Sequence, residues 1–123
     1  MPAMDQAAIA QALALRTLAT LFTCAGVISF FLAMPLVKRR VPMNRWYGFR
    51  IKAAFESPQR WYEINEHGGR LMARWSCLIV ATGTAGWLVP PDKCLAYAIG
   101  AGVAIMIAAM APAVMAFRRV RNG

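Results

Sequence analysis

Apolar residues in this chain come in long blocks and do not alternate in the manner of a half-buried strand. Charge-free runs cover Thr17 to Val37, Trp75 to Pro91 and Cys94 to Phe117, which are 21, 17 and 24 residues long. At 1.5 Å per residue the first covers about 31 Å as a helix, the thickness of a bilayer's hydrocarbon core. The second is short by itself, but upstream chain extends it at the wet end, where Arg70 and Arg74 can snorkel. The third crosses with some tilt. The pattern predicts an all-α integral membrane three-helix bundle forming a single membrane domain. Spans are expected at about 17–37, 70–89 and 94–117, with an amphipathic interfacial segment at 38–74 and a basic tail at 118–123. Pro90-Pro91-Asp92-Lys93 cannot continue a helix, so the second and third spans should form an antiparallel hairpin. Residues 3–15 are rich in alanine and either extend the first helix or lie as a helical arm. Pro112 is expected to kink the third helix and Pro35 to bend the first.

Composition agrees, with 59% apolar and 15% charged residues against about 45–50% and about 25% in soluble domains. The net charge of +9 would suggest nucleic-acid binding in a soluble chain, but position decides otherwise. Of 14 Lys and Arg residues, nine lie between Lys38 and Arg74 and three between Arg118 and Arg121. By the positive-inside rule both segments face the cytoplasm and the amino terminus is outside, as expected of a multi-pass protein of a bacterial inner membrane. This bias accounts for the basic residues, so no nucleic-acid partner is expected. A cleaved signal peptide fits poorly, because only Asp5 precedes Arg16 and the Lys38-Arg39-Arg40 cluster follows the apolar stretch. Cys24 and Cys77 read as small buried hydrophobes.

The three charge-free runs hold no Asp, Glu, Lys, Arg or His, which disfavours a proton-coupled pump. Patterns for common enzyme nucleophiles, phosphate loops and metal sites are missing as well, so no catalysis, cofactor or metal is expected. His67 and Glu63 share a helical face but supply too few ligands, and His67 reads as a solvated interfacial side chain. Small residues mark packing seams: Gly83 and Gly86 in the second helix, and Gly100, Ala104 and Ala108 in the third. The latter stripe serves packing within the chain or a homo-oligomer. Chemistry therefore concentrates in 38–74, where Trp46, Tyr47, Phe49, Phe55, Trp61 and Tyr62 interleave with basic residues. Such a segment lies against anionic lipid of the inner leaflet. Ser57-Pro58 reads as an N-cap followed by proline in the first turn, starting a helix that runs into the second span. On that helix Trp61, Asn65, Gly68, Met72 and Trp75 share one face.

Asn44-x-x-Tyr47-Gly48-x-Arg50, then Trp61-x-x-x-Asn65 and a glycine before an apolar span, resembles the signature of the SdpI-like membrane proteins, named for a bacterial immunity protein. The likeness covers about residues 42–72 and the flanking spans, with Ile51 and Ala54 where the family often has hydroxyl residues. It implies resistance to a secreted toxic peptide, or signalling by holding a regulator at the membrane. The corresponding candidates are Asn44, Tyr47, Gly48, Arg50, Trp61 and Asn65, acting as a ligand or partner site or as a cap on the helices. Asn44 and Asn65 are expected to bond across the loop, Tyr47 and Trp61 to pack, Gly48 to take a positive φ, and Arg50 to meet a carboxylate, a helix C-terminus or a lipid phosphate. Expected partners are membrane lipids, a toxic peptide or cytosolic regulator, and a second copy of the chain. The competing reading is a small oligomeric channel or transporter subunit for an uncharged solute or lipid.

Overall fold

A computed structural model describes residues 3–122. The chain is all-α, with α1 over Ala3–Val37, α2 over Pro58–Ala85 and α3 over Cys94–Asn122, and with short 3-10 turns at Lys52–Phe55, Gly86–Leu88 and Pro91–Lys93. Residues 3–15 continue α1, which settles the amino-terminal alternative in favour of one 35-residue helix. Such a helix is about 52 Å long and exceeds a hydrocarbon core of about 30 Å.

Small residues bring α1 and α2 together. Ala19, Gly26 and Ala33 recur every seven residues on α1, and Gly69, Ser76 and Gly83 do so on α2; all six are buried. A Cβ added at Gly26 would lie 2.7 Å from the backbone nitrogen of Val80, one at Gly86 would lie 2.8 Å from Ala19, and one at Gly69 would lie 3.0 Å from Leu36. At Gly83 it would collide with the backbone of Thr23. These contacts run antiparallel without slipping, and the seven-residue repeat keeps the seam aligned along both helices.

Most of the α3 stripe does not pack within the chain. Nothing lies within 4 Å of a Cβ built at Gly100 or Gly102; Ala104 is exposed, and only Ala108 of that set is buried. The buried face of α3 is Ala101, Ala108, Pro112 and Ala116. It rests mainly on α2 and touches α1 little, so α2 is the middle layer. Two helices, α1 and α3, are long and apolar enough to cross a membrane. The third, α2, has a polar first half and is flanked by the other two. Leu21, Ile28, Phe31, Leu95, Ile99 and Met106 point outward and are exposed, an apolar surface that belongs in lipid. Cys24 and Cys77 also lie on outward faces and are not buried as expected; in lipid the outside is apolar too, so a small hydrophobe gains nothing by turning inward.

The helix ends are closed by side chains and by turns. Arg16 donates to the carbonyls of Gly86 at 3.2 Å and Trp87 at 2.5 Å, and its guanidinium lies 5.2 Å from the Trp87 ring centre. Free carbonyls at a helix C-terminus attract a cation, and α2 ends at Ala85, a turn before the expected Val89, where these carbonyls are served. At the opposite end of the bundle α1 closes in a Schellman turn: Arg40 N–H donates to Pro35 O at 2.9 Å and Arg39 N–H to Leu36 O at 3.2 Å. The left-handed residue is Arg39, with φ 55, where glycine is usual.

Candidate functional site: an interfacial cap

Residues 38–57 cross from α1 to α2 and fold over the end of the bundle as a cap. Its core is Ala54, Trp61 and Ile64, with Val41, Phe49, Ile51 and Val120 packed around them. Ser57 begins α2 as the sequence suggests, its Oγ accepting from Arg60 N–H at 3.1 Å with Pro58 in the first turn. One turn later Trp61 is 0% exposed, its indole N–H donates to Val41 O at 2.8 Å, and its ring centre lies 5.4 Å from that of Phe55. Ala54 is fully buried against it, which leaves no room for a hydroxyl and its partner.

Asn65, 2% exposed, ties the loop to the helix. Its Oδ1 accepts from Phe49 N–H at 2.6 Å, and its Nδ2 donates to Trp61 O at 2.9 Å and to Phe49 O at 3.5 Å. Gly48 stands directly above with φ 116; a Cβ there would lie 2.5 Å from Asn65 Oδ1 and 3.2 Å from the Trp61 ring. Both the backbone angle and the close approach therefore require glycine. Gly48, Trp61 and Asn65 thus form one unit. Asn44 does not join it: its Oδ1 accepts from Trp46 N–H at 2.8 Å and Tyr47 N–H at 2.6 Å, and its Nδ2 donates to Pro42 O at 2.8 Å. This Asx turn replaces the expected bond to Asn65, because nearby amides satisfy the side chain without closing a loop. Tyr47 does not pair with Trp61 either. Its hydroxyl donates to Leu32 O on α1, beside the carbonyl of Phe31 that Pro35 leaves without an amide donor. Burial pushes the Tyr47 pKa up, which keeps that hydroxyl a donor.

Arg50 turns away from the core. It donates to Arg45 O at 2.5 Å and, among the described residues, meets neither a carboxylate nor the end of an α-helix. Arg45, Arg50 and Phe55 line a shallow hollow on the cap's outer rim, with Trp46 nearby in sequence at 88% exposure. The loop is therefore fixed from within by Gly48, Asn65 and Trp61, and it displays cations and aromatic rings outward.

A model of the SdpI/YfhL protein family matches residues 40–117, which takes in the cap, α2 and most of α3. The chain belongs to the SdpI/YfhL family. Curated proteins and solved structures gave no match. The SdpI/YfhL match leaves all of α1 outside it, yet α1 supplies the seam for α2 and accepts the Tyr47 hydroxyl. Members of the family are in general non-catalytic membrane proteins, and among the described residues no cluster of three or more His, Cys, Asp or Glu is placed to hold a metal.

A second cluster on the same end of the SdpI/YfhL domain escapes sequence reasoning. Glu66 receives Arg39 on one oxygen and Arg70, at 2.7 Å, on the other. The Arg39 hydrogen bond, with the charges of Arg39 and Arg70, holds its carboxyl below the usual range. His67 is not simply solvated: Arg119 Nη1 lies 2.7 Å from its Nδ1. An arginine can only donate, so Nδ1 is unprotonated. Burial, then the charges of Arg119, Arg70 and Arg74, lower its pKa in agreement. Contacts 27 and 52 residues apart carry no local signature; only the antiparallel hairpin of α2 and α3 hints that residue 119 returns to residue 67.

Proposed function

We propose that this SdpI/YfhL protein protects its cell against a membrane-active peptide by non-catalytic binding at the rim of the interfacial cap, with the amino terminus outside and the carboxyl terminus in the cytoplasm. The observation that carries the reading is the division of labour within the loop. Gly48, Trp61 and Asn65 spend their polar groups inside the cap, whereas Trp46, Arg45, Arg50 and Phe55 are presented outward on that rigid base. Exposed aromatic and arginine side chains held in place by a fixed backbone lose little entropy on binding, and these residue types dominate binding hot spots. An amphipathic peptide at the headgroup level would meet the rings with its apolar face and the guanidinium groups with its backbone carbonyls or a carboxylate. A cytosolic regulator held at the membrane would use the same rim.

The test is survival. A strain lacking the gene is challenged with membrane-active peptides and complemented with wild type, a Trp46→Ala/Arg50→Ala double variant, and Arg118→Ala as a basic control. The double variant should reach normal membrane levels and melt as wild type does, because neither side chain supports the core, yet lose tolerance. Full tolerance in the double variant removes the rim as the site, and unaltered sensitivity of the deletion strain removes the protective role.

A further inference from the structure

Between the first half of α2 and the end of α3 lies a cleft of about 420 Å³, lined on its charged side by Arg39, Arg60, Arg70 and Arg119. It shares no lining residue with the hollow on the cap rim. Four guanidinium groups face two carboxylates, so the lining carries an excess of positive charge. Both oxygens of Glu66 are taken by Arg39 and Arg70. Glu63 accepts from Gln59 at 3.1 Å on one oxygen and meets Arg60 at 3.8 Å on the other. Arg119 has only the neutral His67 nitrogen. Each guanidinium carries five N–H donors, so donors and positive charge are in excess over the acceptors that line the cleft.

An acceptor-rich anion is what such a site lacks. Phosphate suits it, since planar guanidinium groups grip its oxygens in pairs. A metal cation does not suit it, because four guanidinium groups outnumber two carboxylates in the lining. The volume falls within the roughly 300–1,000 Å³ typical of small-molecule sites and exceeds what a bare phosphate needs. The remaining wall is apolar, formed by Ile64, Ala116 and Val120, so the substituent on the phosphate has an apolar portion. We propose that this cleft binds a phosphate ester, with the phosphate on Arg119, Arg70 and Arg39 and its apolar substituent along Ile64 and Val120. A bilayer places the phosphate esters of anionic phospholipids at the depth of this bundle end; a soluble phosphate ester is the other source of the same chemistry.

The experiment uses native mass spectrometry of the full-length protein released from micelles doped equally with phosphatidylglycerol and phosphatidylcholine. A parallel arm titrates glycerol 3-phosphate into protein in undoped neutral micelles. Wild type should retain phosphatidylglycerol over phosphatidylcholine, and Arg119→Gln and Arg70→Gln should each reduce retention by about tenfold, the worth of one charge-assisted hydrogen bond. Arg118→Gln removes the same charge from the same tail outside the cleft and should retain lipid as wild type does. Glycerol 3-phosphate binding that Arg119→Gln abolishes, without retained phosphatidylglycerol, also supports the site and assigns it to a soluble ester. Equal losses in Arg118→Gln and Arg119→Gln, or equal retention of both lipids together with no binding of glycerol 3-phosphate, overturn the proposal. Circular dichroism melts accompany each variant. The Arg70 side chain is 60% exposed and forms an ion pair with Glu66, so its variant keeps the test decisive should Arg119→Gln unfold.

Discussion

At the scale of single residues, the cap depends on polar groups that have no second choice of partner. Replacing Asn65 with Leu strands Phe49 N–H inside the fold at a cost of about 1–3 kcal/mol. Gly48→Ala adds backbone strain at φ 116 and a clash with Asn65, for about 1–3 kcal/mol. Thermal unfolding in detergent, followed through tryptophan fluorescence in chains that keep Trp61 and carry Phe at Trp46, Trp75 and Trp87, should show both variants losing the cap, whereas Arg50→Ala leaves the transition unmoved. His67 gives the molecule a pH dependence. Its proton is held less readily in the folded chain than at the ordinary value of 6.5, so as pH falls through that value the unfolded state takes up protons first and stability declines. The contribution is complete above pH 6.5 and gone once the pH passes below the folded value. Glu63, Glu66, Arg39, Arg70 and Arg119 line the same cleft as His67, and the charge of Arg74 also acts on it. A melting curve flat above neutrality and falling below pH 6.5 is expected, and His67→Gln should flatten it while still accepting from Arg119. Part of this was legible in the sequence: Gly48, Trp61 and Asn65 stand out by type and spacing. What Asn44 bonds was not, because an amide side chain serves a cross-loop bond and an Asx turn equally well until the backbone is placed.

Among elements, the decisive feature is the seven-residue alignment of small side chains between α1 and α2. Gly83→Leu would drive a side chain into the backbone of Thr23 and cost at least about 1–3 kcal/mol through overpacking. Gly100→Ala is the matching control. Nothing lies within 4 Å of its added Cβ, and alanine stiffens a helix, so a gain of up to about 1 kcal/mol is expected. Unfolding titrations with a denaturing detergent distinguish the two. The sequence marks Gly83 and Gly86 as a seam and, on the same grounds, marks Gly100 and Ala104, which face outward. Small residues report where a close approach is permitted; which of the permitted faces is used depends on the lateral position of the neighbouring helix, and that is set by loop length and by Tyr97, whose hydroxyl donates to Thr82 O at 3.0 Å. The arginine cleft was hidden for a related reason, since its members come from three separate elements and Arg39 reaches Glu66 only because the chain turns left-handed there.

The whole molecule places its least apolar helix in the middle. Two helices satisfy the length and composition for crossing a membrane, while α2 carries Arg60, Glu63, Glu66, His67 and Arg70 in its first half and turns its glycines and Ser76 toward its neighbours. This layering has a consequence for how the protein is made. A segment with so little apolar surface partitions poorly from the translocon into lipid when it emerges alone, so α2 is retained only once α3 arrives behind it. Nascent chains stopped after residue 93 should leave the Pro90-Pro91 turn on the side where α2 began, and chains carried through residue 122 should move that turn across. A glycosylation acceptor engineered at the turn reads the difference directly: it stays unmodified in the shorter chain and gains sugar in the longer one.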